Sequence, residues 1–341
     1  MNSSKTVLVT GGSGFLGAHC VHQLMEQGHH VKTTIRSAKR ENEILDALQK
    51  AGLADLSKLQ FVHADLNKDD NWDQAVQDCD YVLHVASPFP ASQPKDENEL
   101  IRPAVEGTRR VLNAARQAGV KRVVLTSSFA AIGYGSQDLS KVLSEADWTD
   151  PNSDISAYVK SKTLAERAAW DFIKADDSGM ELTVINPRFI LGPSLGGRAT
   201  TSLSVMTQLF DGSMKRVPDV SYGIIDVRDV ADLHVKAMTH PKAAGERFLA
   251  CSGDPITFHE MALLIRERYG EQASQVTTKV YPNWLLRAVA LFNPVARGVV
   301  PNLGKMIYSK NDKATQLMGW QPRSREAAIL ASIESILLSR S

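Results

Sequence analysis

The chain has 341 residues, which exceeds one average domain and is long enough to bury a sizeable core. Its 39 basic and 38 acidic residues leave a net charge of +1, which gives no electrostatic basis for binding nucleic acid or an anionic membrane. Hydrophobic residues make up 43% of the chain and charged residues 23%, as in globular proteins, so disorder and fibrous repeats are excluded.

Three cysteines, Cys20, Cys79 and Cys251, lie far apart without the spacing of metal ligands, and their odd number argues against a disulfide framework. We expect three buried, reduced thiols and no metal site. The N-terminus shows no signal-peptide pattern, and no stretch approaches the ~18 apolar residues that a membrane span needs. These features predict a cytoplasmic protein that binds no membrane.

Short apolar runs alternate with helical patterns from residue 6 to about residue 184, which is typical of a doubly wound parallel sheet. The runs are almost continuously apolar, as strands buried on both faces must be. Apolar residues at helical spacing within 99–117 predict a crossover helix. The fold class is therefore α/β, with a Rossmann-type sheet. The predicted strands are residues 6–10, 31–35, 59–63, 81–85, 123–126 and 182–186.

The strand pattern loosens after residue 187 into a Gly- and Pro-rich stretch, where a second part of the chain begins. An apolar run at 223–225 and a helical pattern at 227–238 then predict a return to the main sheet. We expect a sheet domain and a smaller, discontinuous C-terminal lobe. The sheet domain comprises residues 1–187 with about 223–245, and the lobe comprises about 188–222 with 246–341.

A glycine-rich turn at residues 11–17 joins the first predicted strand to an apolar-periodic helix. Such a turn needs one glycine for an unusual dihedral angle, one for close approach of a pyrophosphate and one for helix packing. The helix N-terminus also offers free N–H groups to phosphate. A purely structural turn is the alternative, but its place in the first strand–helix unit favours a dinucleotide site in the sheet domain. The predicted cofactor-binding residues are Thr10, Gly11, Ser13, Gly14, Phe15, Leu16 and Gly17.

The residues after the second predicted strand favour NADP(H) over NAD(H). Enzymes that select NAD usually carry an acidic side chain there, whereas this chain has Ile35 followed by Arg36. The Arg36 guanidinium can bind a 2′-phosphate bidentately, with Lys39 close by, although a solvated helix start also explains Lys39. After the third strand, Asp65 and Leu66 are placed to meet the adenine ring, or Asp65 caps the next helix.

Tyr158 and Lys162 lie four residues apart in a predicted helix, so both project from one face. A phenol with an ordinary pKa near ~10 exchanges protons poorly at neutral pH, so we expect the ammonium and an oxidised nicotinamide to lower that pKa. Ser128 closes the fifth strand at the edge where open α/β sheets bind ligands. These residues predict hydride transfer to a carbonyl carbon, with Tyr158 as general acid and Ser128 stabilising the alkoxide. A surface pair on a helix is the alternative.

Five short motifs make the sequence similar to the extended short-chain dehydrogenase/reductases, in the dihydroflavonol reductase-like branch. That branch includes plant dihydroflavonol and cinnamoyl reductases and microbial ketone or methylglyoxal reductases. The resemblance implies a catalytic triad of Ser128, Tyr158 and Lys162, with NADP(H) as cofactor. The motifs lie at residues 84–88, 125–128, 158–162, 186–193 and 225–230.

The resemblance also implies contacts on either side of the nicotinamide. Ala86 and Ser87 are implied to flank the cofactor, and Pro187 and Ile190 to border the nicotinamide amide. Core packing is the alternative for some of the implied pocket residues. The implied substrate pocket is lined by Phe89, Phe129, Tyr222 and the loop 191–198.

Two departures separate the chain from sugar-nucleotide enzymes of the same superfamily. Phe189 stands where many epimerases carry an asparagine, and no acidic pair follows Ser128 as in the dehydratases. Both departures favour a neutral or apolar carbonyl substrate for an NADPH-dependent reductase that is a monomer or homodimer. The alternatives are a nucleotide-sugar epimerase or dehydratase, a non-catalytic NADP-sensing regulator, and a 3β-hydroxysteroid dehydrogenase-like enzyme, which commonly has a membrane-associating segment.

Overall fold

The computed structural model describes residues 4–88, 96–135, 138–197 and 200–340. The strands are β1 (Thr6–Thr10), β2 (His30–Ile35), β3 (Leu59–His63), β4 (Tyr81–His84), β5 (Arg122–Thr126), β6 (Glu181–Pro187), β7 (Phe189–Leu191), β8 (Ser221–Asp226), β9 (Arg247–Ala250) and β10 (Ser252–Thr257). The helices are α1 (Phe15–Glu26), α2 (Ala38–Lys50), α3 (Trp72–Val76), α4 (Asn98–Gln117), α5 (Ala130–Gly133), α6 (Ala157–Lys174), α7 (Thr201–Phe210), α8 (Val227–Thr239), α9 (Phe258–Tyr269), α10 (Asn283–Val289), α11 (Pro294–Val299), α12 (Asp312–Met318) and α13 (Arg325–Leu338).

Seven strands form the central sheet in the order β3-β2-β1-β4-β5-β6-β9, and each neighbouring pair is parallel. All six predicted strands are present, as β1 to β6. Because β1 pairs with β2 on one side and β4 on the other, the order of the strands reverses between β1 and β4. Open α/β sheets bind ligands at the carboxyl ends of the strands at such a point. The predicted Rossmann-type doubly wound parallel sheet is confirmed.

Helices cover both faces of the central sheet, because its strands carry apolar side chains on both sides. Val7 and Val9 of β1 belong to a core that also contains residues of α1, α2 and α8. Leu8, which lies between them and points to the opposite face, belongs to a second core with residues of α3, α4 and α6. The alternation along β1 therefore separates the two helical layers.

Three strands form a smaller sheet in the order β10-β8-β7. The β7–β8 pair is parallel, and the β8–β10 pair is antiparallel with a register shift between Ser252 and Ile256. Residues of α7, α9 and α13 pack against this sheet in a core of their own. The smaller sheet and these helices lie after residue 187 in the chain, where the strand pattern loosens.

The sequence-based expectation that the strand near residues 223–225 returns to the main sheet is wrong. β8 lies in the smaller sheet, and the last strand of the central sheet is β9, where Arg247 pairs with Val184 of β6. Hydrophobicity could not distinguish these cases, because Ile224 is buried in the core of the smaller sheet and Ile225 in a core of the central sheet. Helix α8 packs against the central sheet, as expected.

The division into a cofactor-binding domain and a substrate-binding lobe stays a prediction. The strand pairing assigns residues 221–226 to the smaller sheet and residues 247–250 to the central sheet, unlike the predicted boundaries. Residues of α12 and the indole of Trp320 also pack in a core of the central sheet. The C-terminal part of the chain therefore contributes to both cores.

The three cysteines, Cys20, Cys79 and Cys251, are buried and form no disulfide. Burial raises the pKa of Cys79 and of Cys251 to about 11, so both remain protonated thiols at neutral pH. In the part of the chain that the structure describes, no helix is long and apolar enough to cross a membrane.

Replacing Trp320 by alanine is expected to lower the free energy of unfolding by about 3–5 kcal/mol. The Trp320 indole is fully buried, and its Nε1 donates a hydrogen bond to the carbonyl oxygen of Asp229 at 3.1 Å. Urea unfolding followed by circular dichroism measures the change. The matched control is Trp284→Ala, because Trp284 is 71% exposed and its loss should change the free energy by less than about 0.5 kcal/mol. Similar losses in both variants would contradict this account of the core.

Candidate active site

The glycine loop excludes side chains where it meets helix α1. Gly11 has a φ of 72°, in the left-handed region that favours glycine. A Cβ atom at Gly17 would lie 2.2 Å from the carbonyl oxygen of Gly11, so no larger residue fits there. Gly14 is the N-cap of α1 and is exposed, which leaves N–H groups of the first helical turn available to a ligand. These features fit the pyrophosphate cradle predicted from the sequence.

A hydrogen-bonded group joins the end of β1 to the segment after β4. The Thr10 Oγ1 atom lies 2.9 Å from His84 Nδ1 and accepts a hydrogen bond from the Ala86 N–H at 3.0 Å. A Cβ at Gly11 would lie 3.0 Å from the Cβ of Ala86, so the two backbones approach closely. The structure thus brings Ala86 beside the glycine loop. Of the other predicted cofactor residues here, Leu16 is buried, and those that are partly buried are Ser13, Phe15 and Ser87.

The basic residues after β2 are exposed. Arg36 and Lys39 form no ion pair with any residue that the structure describes, whereas Arg40 pairs with Glu43 at 2.9 Å. Arg36 directly follows Ile35, the buried last residue of β2, and therefore lies at the carboxyl edge of the sheet. This position is compatible with recognition of a 2′-phosphate.

Asp65 holds a turn after β3. Its Oδ1 accepts hydrogen bonds from the backbone N–H and the side-chain amide of Asn67, at 2.9 and 3.1 Å. Asp65 does not cap helix α3, because the N-cap of that helix is Asn71. The capping alternative is therefore wrong, and contact with an adenine ring stays a prediction for Asp65 and for the half-buried Leu66.

Ser128 and Tyr158 meet at the carboxyl edge of the central sheet. Ser128 lies just after β5, and its Oγ accepts a hydrogen bond from the Ala130 N–H at 3.1 Å. Helix α6 begins after Ser156, whose side chain caps the Val159 N–H, and this places Tyr158 in the first helical turn. The Tyr158 hydroxyl lies close enough to the Ser128 hydroxyl for the two side chains to interact.

Burial controls the ionisation of Tyr158 and Lys162. It raises the pKa of Tyr158 above its ordinary value, although the interaction with the Ser128 hydroxyl acts in the opposite direction. Burial lowers the pKa of Lys162 to about 8, partly offset by the charge of Glu166. The protein's own groups thus do not lower the Tyr158 pKa as the sequence led us to expect, because burial outweighs the neighbouring groups.

Lys162 connects the triad to the glycine loop. Burial, together with the nearby charge of Lys162, lowers the pKa of His84 to about 3, so this buried imidazole is neutral. Since His84 contacts Thr10 at the end of β1, the predicted catalytic lysine lies near the start of the predicted cofactor site.

The sequence reasoning missed Glu166, which lies one helical turn after Lys162. Its carboxylate is 1% exposed and accepts hydrogen bonds from Asn186 Nδ2 and Arg247 Nε, each at 2.6 Å, and from the Ser127 hydroxyl. Asn186 also donates to the carbonyl oxygen of Ser128 at 3.1 Å. The four-residue spacing from Tyr158 through Lys162 to Glu166 was the available signal, but its partners are distant in the sequence.

Phe129, one of the predicted substrate-pocket residues, contacts a buried arginine, Arg188, that sequence reasoning also missed. Phe129 is buried, and the Cζ atom of Arg188 lies 3.9 Å from the centre of its ring. Tyr222 packs against Phe189, with ring centres 5.2 Å apart. Phe89 and residue 198 of the predicted loop lie outside the described residues.

Pro187 and Ile190, the residues implied to border the nicotinamide amide, lie on either side of the step from β6 to β7. The carbonyl oxygen of Pro187 accepts a hydrogen bond from the Phe129 N–H at 2.9 Å. Ile190 pairs with Ile225 in the smaller sheet. The structure therefore places Pro187 beside the Ser128 segment and Ile190 in the smaller sheet.

The sequence matches the NAD dependent epimerase/dehydratase family over residues 7–251. Tetraketide alpha-pyrone reductase 2 of Arabidopsis thaliana is 35% identical over 274 residues, which cover 77% of this chain and 82% of that protein. A putative NADPH-dependent methylglyoxal reductase of Candida albicans, GRP2, is 32% identical, with 81% of this chain and 86% of that protein covered.

A solved structure is similar over almost the whole chain. It is yeast methylglyoxal/isovaleraldehyde reductase Gre2 complexed with NADPH, which superposes with a TM-score of 0.79 at 27% sequence identity. The match covers 98% of this chain and 99% of that one, so it includes the smaller sheet as well as the central sheet.

Replacing Lys162 by methionine is expected to abolish activity and to stabilise the fold at neutral pH. The pKa of about 8 in the folded chain lies below the ordinary 10.5, so folding weakens proton binding by Lys162. Burying the charged ammonium lowers the free energy of unfolding. This destabilisation is fully present below pH 8 and disappears as the pH rises to 10.5, where Lys162 is neutral in the folded chain. The variant should therefore gain up to about 3 kcal/mol at pH 7 and little near pH 10, as measured by urea unfolding.

The control for this prediction is Lys160→Met on the same helix. The Lys160 ammonium is more exposed and pairs with Glu97 at 2.7 Å, so its removal should give no comparable gain at pH 7. A gain for Lys162→Met that stays constant from pH 7 to pH 10 would show that relief of a buried charge is not its cause.

Proposed function

The chain belongs to the NAD dependent epimerase/dehydratase family, and from this premise we propose that it reduces an aldehyde or ketone to an alcohol, with Tyr158 as general acid. The observation that carries the proposal is the interaction of the Ser128 and Tyr158 hydroxyls at the carboxyl edge of the sheet, with Lys162 buried one helical turn from Tyr158. Relatives that are named reductases support reduction as the reaction. The predicted resemblance to the reductase branch of this superfamily is confirmed.

The protein is an NADP-dependent oxidoreductase with NADP(H) as its cofactor. The loop from Gly11 to Gly17 fits the pyrophosphate, since its backbone is exposed at Gly14 and has no room for a side chain at Gly17. Arg36 would hold the 2′-phosphate, because its exposed guanidinium has no carboxylate partner among the described residues. When bound, NADPH supplies the hydride.

Three side chains would then handle the substrate oxygen and its proton. Burial keeps the Tyr158 phenol protonated at neutral pH by raising its pKa, as a proton donor requires. Ser128 would hold the same oxygen by a hydrogen bond as negative charge develops on it. Lys162, with a pKa of about 8, is mostly protonated at pH 7 and would stabilise the phenolate that Tyr158 becomes.

The competing activities find less support in the site. Phe189 packs its ring on Tyr222, which gives an apolar surface where many epimerases have a polar side chain for the substrate diphosphate. A regulator that only senses NADP would not need a proton donor beside Ser128. The substrate is a small carbonyl compound. The cytoplasmic location and the monomeric or homodimeric state stay predictions.

Replacing Tyr158 by phenylalanine should lower kcat by about 10²–10⁴-fold because the proton donor is lost, while NADPH affinity remains close to wild type. Turnover is measured by NADPH absorbance with a panel of aldehydes, diketones, oxo esters and aryl ketones, and affinity by NADPH fluorescence. Tyr81→Phe is the matched control, since Tyr81 lies in β4 at the opposite edge of the sheet and should keep full activity. Unchanged turnover by Tyr158→Phe would refute the assignment of the acid.

Replacing Arg36 by alanine should raise the KM for NADPH by about 10–100-fold, the effect of losing hydrogen bonds between charged groups. The KM for NADH should change little, because NADH has no 2′-phosphate. Steady-state kinetics with both cofactors measure the two constants, and Arg102→Ala, an exposed arginine on α4, provides the control. Equal increases for the two cofactors would show that Arg36 does not bind the phosphate.

A further inference from the structure

Arg188 is a buried cation next to the triad. The side chain is 8% exposed. Arg188 follows Pro187, whose carbonyl oxygen accepts the Phe129 N–H at 2.9 Å, and Phe129 in turn follows Ser128. Arg188 is therefore the first residue after β6, and the residue before it, Pro187, is hydrogen-bonded to the segment that carries Ser128.

The side chain of Arg188 packs against Phe129 and Gly223. Its Cζ lies 3.9 Å from the centre of the Phe129 ring. On another side, a Cβ at Gly223 would fall 2.1 Å from Nε, so only glycine leaves room for the side chain. Nη1 donates to the carbonyl oxygen of Ile307 at 2.9 Å and to the hydroxyl of Ser309 at 2.8 Å.

The remaining edge of the guanidinium has no partner among the described residues. All hydrogen bonds that the Arg188 side chain makes with described residues come from Nη1, so Nε and Nη2 have no partner there. These two nitrogens are not fully enclosed by the protein and remain accessible to a ligand atom. Nε and Nη2 form one of the two forks with which an arginine binds a carboxylate bidentately.

Arg188 also lacks a carboxylate within the chain. Three arginines are buried among the described residues, and two of them have acidic partners. Arg122 pairs with Glu181 at 2.7 Å and Arg247 with Glu166 at 2.6 Å, whereas Arg188 has no described acidic residue within 4.0 Å. Because an uncompensated buried charge is unfavourable, an anion from outside the chain would stabilise this side chain.

Tyr134 links this cation to the proposed proton donor. Its ring packs against Phe129 with an edge-to-face geometry and a centre-to-centre distance of 5.5 Å. The Tyr134 hydroxyl is close enough to shift the pKa of Tyr158 and of Tyr222, and it also acts on Arg188. One phenol thus lies within electrostatic range of both the Arg188 guanidinium and the Tyr158 hydroxyl.

We propose that Arg188 binds the carboxylate of the substrate, which is an oxo acid whose carbonyl oxygen lies at Ser128 and Tyr158. The Nε–Nη2 fork accepts the carboxylate, and Phe129 shields the ion pair from water. The inference deepens the proposed function and rests on it for the position of the carbonyl. An oxo acid differs from the neutral or apolar substrate that the sequence favours, and a kinetic comparison of acids with esters distinguishes the two.

The kinetic test compares oxo acids with their methyl esters. The acids have one to three carbon atoms between the carbonyl and the carboxylate, and each ester keeps the ketone but lacks the charge. For wild type we expect at least one acid to be preferred over its ester in kcat/KM. In Arg188→Met and Arg188→Gln, this acid-to-ester ratio should fall by about 30-fold or more, as expected when hydrogen bonds between charged groups are lost. Arg188→Lys should recover part of it.

The control is Arg122→Met, which removes another buried arginine that donates hydrogen bonds to carbonyl oxygens, those of Ala237, Met238 and His240. Its acid-to-ester ratio should equal that of wild type even if its overall rate falls. An equal loss for acid and ester in both Arg188 variants would assign Arg188 to holding residues 307–309 and overturn the proposal. The proposal would also be overturned if the wild-type enzyme had a higher kcat/KM for the ester than for the acid in every pair.

A binding measurement separates this inference from the proposed reaction. Calorimetry with butanoate, an unreactive carboxylate, and with methyl butanoate requires no turnover. Wild type should bind butanoate about tenfold or more tightly than Arg188→Met does, and the ester should show no such difference. If the enzyme reduces no carbonyl compound but shows this difference in binding, the proposed reaction is wrong and the anion site at Arg188 is supported. If wild type does not bind butanoate, the anion site fails whatever the enzyme reduces.

Discussion

Glu166 is a carboxylate buried inside helix α6, and groups from three strands of the central sheet donate hydrogen bonds to it. Ser127 reaches it from the end of β5, Asn186 from β6 and Arg247 from β9. A buried carboxylate is tolerated only when its charge is paired and its oxygens accept hydrogen bonds. The network therefore fixes α6 against these strands, and the positions of Tyr158 and Lys162 depend on it because both lie on the same helix.

The site keeps its cation buried and its proton donor partly buried, with opposite consequences for the two groups. Burial favours the neutral form of each, so it raises the pKa of Tyr158 and lowers that of Lys162. The carboxylate of Glu166 one turn further along offsets part of the effect on Lys162. The phenol is therefore a protonated acid at neutral pH, and the lysine retains a charge that can respond to a change on the phenol.

The two ends of the site differ in how their charges are balanced. On the side of the glycine loop, the charge of Lys162 lies within electrostatic range of the Glu166 carboxylate, and His84 is a neutral imidazole that contacts Thr10. On the side of the smaller sheet, the guanidinium of Arg188 has aromatic and backbone neighbours but no acid in the described chain. This asymmetry gives the inferred substrate an orientation, with its reducible carbon towards the central sheet and its anionic group towards the lobe.

The sequence alone determined the features that are local in the chain. The glycine turn, the apolar strands β1 to β6 and the four-residue spacing of Tyr158 and Lys162 each depend on neighbouring residues, whose periodicity can be read directly. Only the tertiary structure decided that β8 joins the smaller sheet, that Glu166 meets Arg247, and that Arg188 is buried without a carboxylate. The physical reason is that pairing of strands and compensation of buried charges join residues far apart in the sequence, and hydrophobic periodicity carries no information about such partners.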